Sequence, residues 1–371
     1  MYRRPRKKTY IAWLIGAAAL LVLAGLGFGL YSLIVGTPSL DKNAISLPTP
    51  DKEGIFPWKD GVLSVYQNKL ICNNLDGSSP WGSGSVDLPV TGMKARREGD
   101  FTVVWGGKNI MVVEKDGRIK NNKVNEAPGE VVLAVPGVTT YAAITQEENQ
   151  HRLRVYSMKD GSEIDEVLFP YASVLDMGYF GDKSGQIWVL TVDSHGVQPI
   201  TKLTTYLPGK NSTRSIPLRD EIGYRAVLQE KQTYLVGTHT MTYWENTSQK
   251  QSTLVYGWNL QDVFTEKNGS VSFLFSPAGG DENGQISSLW YINTAGREYR
   301  IPMPAGVIRA MLKDNGRICA VTPKGAYSMA QNGTGSRFYP FSITVESIPA
   351  VVPGKAFVIY AGHRNYLINM P

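Results

Sequence analysis

The sequence predicts an all-β body, an eight-bladed β-propeller with seven blades as the alternative count, preceded by one N-terminal transmembrane α-helix. Three observations carry that expectation: an uncharged run near the start of the chain, a turn motif that recurs through the remainder, and a closing group of strands that is one short.

The uncharged run covers the 25 residues from Ile11 to Val35, IAWLIGAAALLVLAGLGFGLYSLIV. As a helix it would extend about 37 Å, enough to cross a hydrocarbon core of about 30 Å with some tilt. Trp13 and Tyr31 fall near its two ends, where amphipathic rings prefer the membrane–water interface. Arg3, Arg4, Arg6, Lys7 and Lys8 precede it with no acid among them, which predicts a basic cytoplasmic tail over 1–9, a single-pass helix over 10–35 and an extracytoplasmic remainder in the cell membrane. The competing reading is a cleaved secretory signal. The run is longer than the apolar core of such signals and no A-x-A-like site follows it, so a signal-anchor in contact with lipid through residues 11–35 is the expectation. Gly25 and Gly29 form a small-xxx-small pair that would let two such helices approach as a weak homodimer.

Charge excludes one class of partner. The net charge is +6, and removing the five basic residues of the tail leaves +1. A body so close to neutral has no basic surface to recommend it to nucleic acid. Two cysteines in 371 residues cannot build a disulfide framework, and no Cys/His cluster has the spacing of a structural zinc site.

Residues 36–50 (GTPSLDKNAISLPTP) read as an extended linker that includes a candidate closing strand, Lys42 to Leu47. From 51 to 371 the chain is a series of short runs rich in Val, Ile, Thr, Tyr, Phe and Trp, separated by Gly, Asn, Asp, Ser and Pro, which is the pattern of strands and tight turns. His151 to Met158 shows the period of two plainly, with Leu153 and Val155 on one side and Arg152, Arg154 and Tyr156 on the other. An apolar strand running into a turn recurs with turns at Asp76, Asp116, Asp160, Pro208, Asn246, Ala295 and Asn332. Their spacing averages roughly 43 residues, the length of a four-stranded blade. Each turn is expected to join the third and fourth strands of a blade, and the Asp-Gly and Asn-Gly pairs predict type I′ geometry. After the seventh turn, segments near Val345 to Val352, Ala356 to Ala361 and Asn365 to Met370 supply three strands. The Lys42 to Leu47 segment is the fourth that would close the ring and remove its open edges.

At the hairpins the chain resembles the quinoprotein-type (PQQ-like) propeller repeat, an apolar strand, Asp, a short turn with Gly, then Trp. Leu70 to Trp81 (LICNNLDGSSPW) is the nearest copy, and Leu153 to Ile164 (LRVYSMKDGSEI) keeps all but the Trp. The resemblance implies either a quinone-dependent dehydrogenase or a non-enzymatic envelope scaffold, and the layout looks like that of single-pass bacterial membrane proteins with a propeller ectodomain. The other repeats lack the Trp and there is no adjacent Cys-Cys pair, so the docking of the enzymes is not implied at those positions. WD-repeat proteins are a poorer match, because their Gly-His and Trp-Asp markers are missing.

Candidates for chemistry are sparse. His151, His195, His239 and His363 are scattered, the first three 44 apart, so a ring of imidazoles around a channel is conceivable; a metal site is not expected from them. Asp281-Glu282-Asn283-Gly284 lacks the alternation of a calcium loop and reads as a solvated hairpin. Lys94-Ala95-Arg96-Arg97 would place Lys94 and Arg96 on one strand face and Arg97 on the other, as ordinary blade surface. Cys72 and Cys319 fall two blades apart, too far for a disulfide, and read as buried thiols. Asn211, Asn246, Asn268 and Asn332 begin sequons in turns. No catalytic, cofactor-binding or metal-binding residue is assigned and no cofactor is expected. The function this implies is a membrane-anchored, non-catalytic binding scaffold for a protein or cell-envelope polymer, with a quinoprotein-like or glycan-processing enzyme acting at the central channel as the alternative.

Overall fold

The computed structural model describes residues 39–371 apart from 83, 181–184, 211, 230–231, 247, 267 and 281–283. The tail, the helix over 10–35, the Gly25–Gly29 pair, the Asp281–Asn283 loop and Asn211 therefore lie outside the described residues. Among the described residues no helix is long and apolar enough to cross a membrane.

The strands form eight separate four-stranded antiparallel sheets. Seven are continuous in sequence, spanning 55–87, 94–126, 130–169, 172–219, 223–254, 258–302 and 309–340 as blades one to seven. The eighth is composite. Its first three strands are Ser347–Val352, Ala356–Ala361 and Arg364–Asn369, and its fourth is Ile45–Leu47, brought from the other end of the chain. All seven sequence-predicted turns join third to fourth strands as expected.

The second strands explain the arrangement. Segments such as Phe101–Gly106, Gln232–Gly237 and Ala356–Ala361 are apolar at consecutive positions rather than alternate ones, so both faces of each sheet must be covered. The structure covers them blade against blade. Val103 joins a cluster with Ala134, Tyr141 and Tyr156 of blade three, whereas its neighbour Val104 joins Leu63, Cys72 and Trp81 of blade one. The core is thus a circle of such clusters, and the one between blades eight and one holds Leu47, Val352 and Leu367 against Ile55 and Val62.

The closing strand is shorter than predicted. Leu40–Asn43 is a 3-10 turn, and only Ile45–Leu47 pairs, with Ile45 opposite Leu367 and Leu47 opposite Asn365. The turn serves as an anchor, because Asp41 accepts hydrogen bonds from the Ser342 amide (2.9 Å) and hydroxyl (2.5 Å) of the segment leading into blade eight. The buried Asn365 amide donates to the Thr49 carbonyl at 2.8 Å, fixing the chain as it leaves the strand.

The third-to-fourth turns differ in type from the type I′ prediction. Gly77, Gly117, Gly161 and Gly333 have φ of +84°, +88°, +73° and +82°, but the preceding Asp76, Asp116, Asp160 and Asn332 are not left-handed. The turns at Gly77, Gly117 and Gly333 close with a bond from the Gly amide to the carbonyl three residues back, type I turns ending in a left-handed Gly as in a three-residue hairpin loop with a G1 bulge. Gly161 donates instead four residues back, to Ser157, and ends a loop one residue longer. The Asp76 carboxylate accepts from the Ser78 amide (2.9 Å), which stabilises the αR position that type I needs and type I′ forbids. Type I′ pairs with two left-handed residues occur instead at second-to-third hairpins, at Gln67–Asn68 and Glu148–Asn149.

Three of these Gly also receive the outer part of the preceding blade. A Cβ on Gly117 would lie 2.7 Å from the Trp81 ring of blade one, one on Gly161 2.5 Å from Asn125 of blade two, and one on Gly333 2.7 Å from Ile301 of blade six. Trp81, 2 % exposed, is the residue that ends the repeat LICNNLDGSSPW, and here it docks onto the turn of the next blade.

Two stability predictions follow from this geometry. Gly117→Ala combines a left-handed backbone with a collision against Trp81, so it should destabilise by roughly 2–4 kcal/mol, read by urea denaturation. Leu47→Asp places an unpaired carboxylate in the seam between blades eight and one; a loss of about 3 kcal/mol or more, with aggregation from the loosened edge, is expected in thermal unfolding with light-scattering detection.

Candidate binding face and central channel

Strands in each sheet run alternately up and down, so second-to-third hairpins and blade-to-blade connections share one face of the disc, and first-to-second and third-to-fourth hairpins share the other. The chain reaches Ile45–Leu47 from the third-to-fourth side, since that segment is a fourth strand. The N-terminal segment therefore joins at the second of these faces, and the hairpin-and-connection face points away from it.

That distal face carries exposed aromatic and aliphatic side chains. Tyr171, in the connection to blade four, is 66 % exposed and meets the His195 ring edge-on at 5.7 Å. Tyr256, in the connection to blade six, is 68 % exposed and stacks on His239 at 5.2 Å with a 4° interplanar angle. Leu254 is exposed beside Tyr256, Val197 in the hairpin that carries His195, and Ile222 in the connection between blades four and five. The framework beneath is fixed by hydrogen bonds. Glu221, buried in the connection between blades four and five, accepts from the backbone amides of His239 (2.8 Å) and Thr240 (2.9 Å) and from the Thr240 hydroxyl.

All four histidines lie at second-to-third hairpins, in blades three, four, five and eight, so His195 does align with His151 and His239. They do not converge. The His151 Nδ1 accepts from the Val174 amide of blade four at 2.9 Å, and burial lowers its pKa. Among the described residues no group of three His, Cys, Asp or Glu side chains is placed to hold a metal. Cys72, in the third strand of blade one, and Cys319, in the second strand of blade seven, are free buried thiols; burial raises them to about 11 and about 12.

On the proximal face the first strands and their hairpins surround a cavity of about 1590 Å³ at the axis. Here the expectation for Lys94–Arg97 is corrected. The segment is the innermost strand of blade two, so its side chains border the channel and the blade one–two seam rather than an outer surface. Alternation holds: Arg96 and Arg97 point to opposite sides. Arg96 crosses to blade four, donating to the Met177 carbonyl at 2.9 Å and pairing with Asp176 (3.4 Å) and Glu98 (2.8 Å). Arg97 turns toward blade one, its guanidinium 4.3 Å from the Trp58 ring and its Nη1 donating to Cys72 Sγ at 3.3 Å.

Asp176 and Asp262 were not singled out by sequence. Each follows a register shift in the first strand of its blade, and each accepts from the next residue's amide at 2.8 Å. Their separation of two blade lengths is the only sequence signal that links them. Asp262 also accepts from the Leu312 amide of blade seven (2.8 Å), tying two blades together. Burial lifts its carboxyl to about 6, against the lowering effect of these amides and of Arg309 and Arg225.

No family model matches the chain, and no curated protein matches it. Its likeness is to solved structures. The WD40 domain of SCAP from fission yeast superposes with a TM-score of 0.59 at 9 % identity, covering 88 % of this chain and 97 % of that one. The C-terminal WD40 domain of Sif2 gives 0.55 at 9 % identity over 90 % and 98 %, and the Dos1 propeller 0.55 at 8 % over 89 % and 96 %. The fold is an eight-bladed β-propeller. At such identities the likeness shows the fold alone, and it does not separate a quinoprotein-type propeller from a WD-repeat one.

Asp262 yields a pH prediction. Its folded pKa stands above the ordinary 3.8, so the folded chain holds that proton more tightly than the unfolded chain. Its contribution to stability is therefore largest below about pH 4 and falls as pH rises to about 6. The unfolding free energy of the wild type minus that of Asp262→Asn should decline across this window and level off above it, as measured by urea denaturation at successive pH values.

Proposed function

We propose that the protein is a membrane-anchored, non-catalytic scaffold that offers the distal face of its propeller to a protein or cell-envelope polymer. Residues 10–35 serve as the anchor, with the N-terminus cytoplasmic, the propeller extracytoplasmic, and Gly25 and Gly29 able to pair two helices weakly. The observation that supports this reading is the set Tyr171, Leu254 and Tyr256, each more than 60 % exposed, on the face turned away from the N-terminal segment. Exposed aromatic rings held on a rigid framework are what anchors an interface, since they bury large areas with little loss of side-chain freedom.

An enzyme of the quinoprotein-like or glycan-processing kind, working in the channel, is the second reading. Arg96 between Glu98 and Asp176 favours it, because an Arg with two carboxylates at a channel wall is a common catalytic grouping. Both acids are engaged by that guanidinium, so the trio would have to open for substrate.

The test has two parts. Carbonate extraction of membranes should leave the full chain in the pellet, and release of intact protein would remove the anchor. Crosslinking in membranes should capture a defined partner with the wild type. A variant carrying Tyr171→Ala, Leu254→Ser and Tyr256→Ala should lose at least about tenfold of that capture with its thermal midpoint nearly unchanged, as expected for removal of central interface anchors. Undiminished capture would sink the assignment of the face.

A further inference from the structure

The channel is bordered by a buried guanidinium that no carboxylate answers among the described residues. Arg97 is 9 % exposed, and its Nε is buried without a hydrogen-bond partner. Its two contacts are the Trp58 ring face and Cys72 Sγ. That sulfur is no counter-ion, because burial pushes the thiol up to about 11 and keeps it neutral. None of the four acids lining this cavity contacts Arg97: Glu98 is held by Arg96 at 2.8 Å, Asp60 is paired with Lys355, and Asp100 and Asp314 are exposed to solvent. A guanidinium removed from water without an anion is strongly disfavoured, and a single indole face offsets only part of that cost.

Arg154 shows a buried guanidinium that is fully answered, whereas the half-buried Arg214 also keeps its Nε and Nη2 without partners. Arg154, with its side chain 7 % exposed, donates to Glu147, Glu163 and Glu166 at 2.8–3.1 Å. Arg97, in contrast to Arg154, is a nearly fully buried guanidinium that meets no carboxylate among the described residues. It borders the axial cavity of about 1590 Å³, and Lys59, exposed and without an ion pair among the described residues, lines the same cavity from the adjoining hairpin.

We infer that the proximal mouth of the channel, at the seam of blades one and two, is a binding site for a small free oxyanion, a carboxylate or a phosphate, received by Arg97 and Lys59. The planar fork of Arg97 suits two oxygens of such a group, Trp58 fixes the plane of the fork, and Lys59 adds a second positive charge from the rim. The site lies on the face opposite to Tyr171 and Tyr256, so it is independent of the distal surface.

The test uses the full chain and inorganic phosphate or succinate as probes, with sodium chloride at matched ionic strength as reference, read by thermal midpoint and by tryptophan fluorescence. Phosphate raises the midpoint of most proteins by exclusion from their surface, so the decisive quantity is the difference between wild type and variant. A saturable rise with either probe is expected for the wild type and should be absent in Arg97→Met, which keeps the packing on Trp58. Lys59→Gln, at an exposed position, should weaken the apparent affinity roughly tenfold, the loss of one charge-assisted contact, and it decides the matter if Arg97→Met does not fold. A fluorescence response that disappears in Trp58→Phe locates the binding. Chloride acting equally, or an unaltered response in both variants, would overturn the assignment.

Discussion

Every sheet in this molecule is apolar on both faces, and that single constraint determines the rest. A blade such as 94–126 presents Val103 to one side and Val104 to the other, so it is stable only between two neighbours. A linear array of such blades always leaves two unsatisfied faces. A circle leaves none, provided that the last sheet is complete. The three-residue pairing of Ile45–Leu47 with the strand Arg364–Asn369 meets that condition, and its small size is compensated by Asp41, Thr49 and Asn365, which fasten the segment on both sides. The hydrogen bonds of the closing strand are few, but the burial they permit between blades eight and one involves a whole cluster.

Packing blade to blade imposes its own demand on the turns. At several seams the outer part of one blade lies over the third-to-fourth turn of the next, and a turn with a side chain at its left-handed position would hold the two apart. Gly117, Gly161 and Gly333 meet the demand twice over, by accepting positive φ and by leaving room for Trp81, Asn125 and Ile301. The Asp-Gly pair therefore serves both local hairpin geometry and the seam between blades. This is why it recurs at blade spacing while the residues around it drift.

That double role is also why so much of the fold was legible. The turn dipeptides mark the seven third-to-fourth hairpins, the shortage of a final strand points to Lys42–Leu47, and Cys72 and Cys319 are buried thiols two blades apart. The channel was not legible, for a physical reason. Arg96 meets Asp176 across the axis from two blades away, and both Asp176 and Asp262 reach it because a bulge rotates the first strand by one residue. Nothing local in the sequence announces either the bulge or the crossing. The densest basic segment therefore reads as ordinary blade surface, whereas its strand is the innermost of its blade. The distal aromatics carry no local signal, because Tyr171 and Tyr256 sit singly in connections and only the closed ring brings those connections onto one face.

Three buried charges show how differently the same scaffold treats an ion. Arg154 lies within a sheet among glutamates supplied by its own blade, so its charge is balanced locally and contributes little beyond order. Asp262 lies at the junction of two blades and is answered by backbone amides, dipoles rather than charges, which leaves its carboxyl near 6 but uses it to hold blade seven against blade six. Arg97 also lies at a junction, yet it receives only a ring face and a neutral thiol. A purely structural role at that position could be filled by a Met or Leu of similar bulk, which would pack on Trp58 and Cys72 without the cost of desolvating a cation. The presence of a guanidinium beside an open channel is therefore better explained by what can enter the channel than by what already surrounds it.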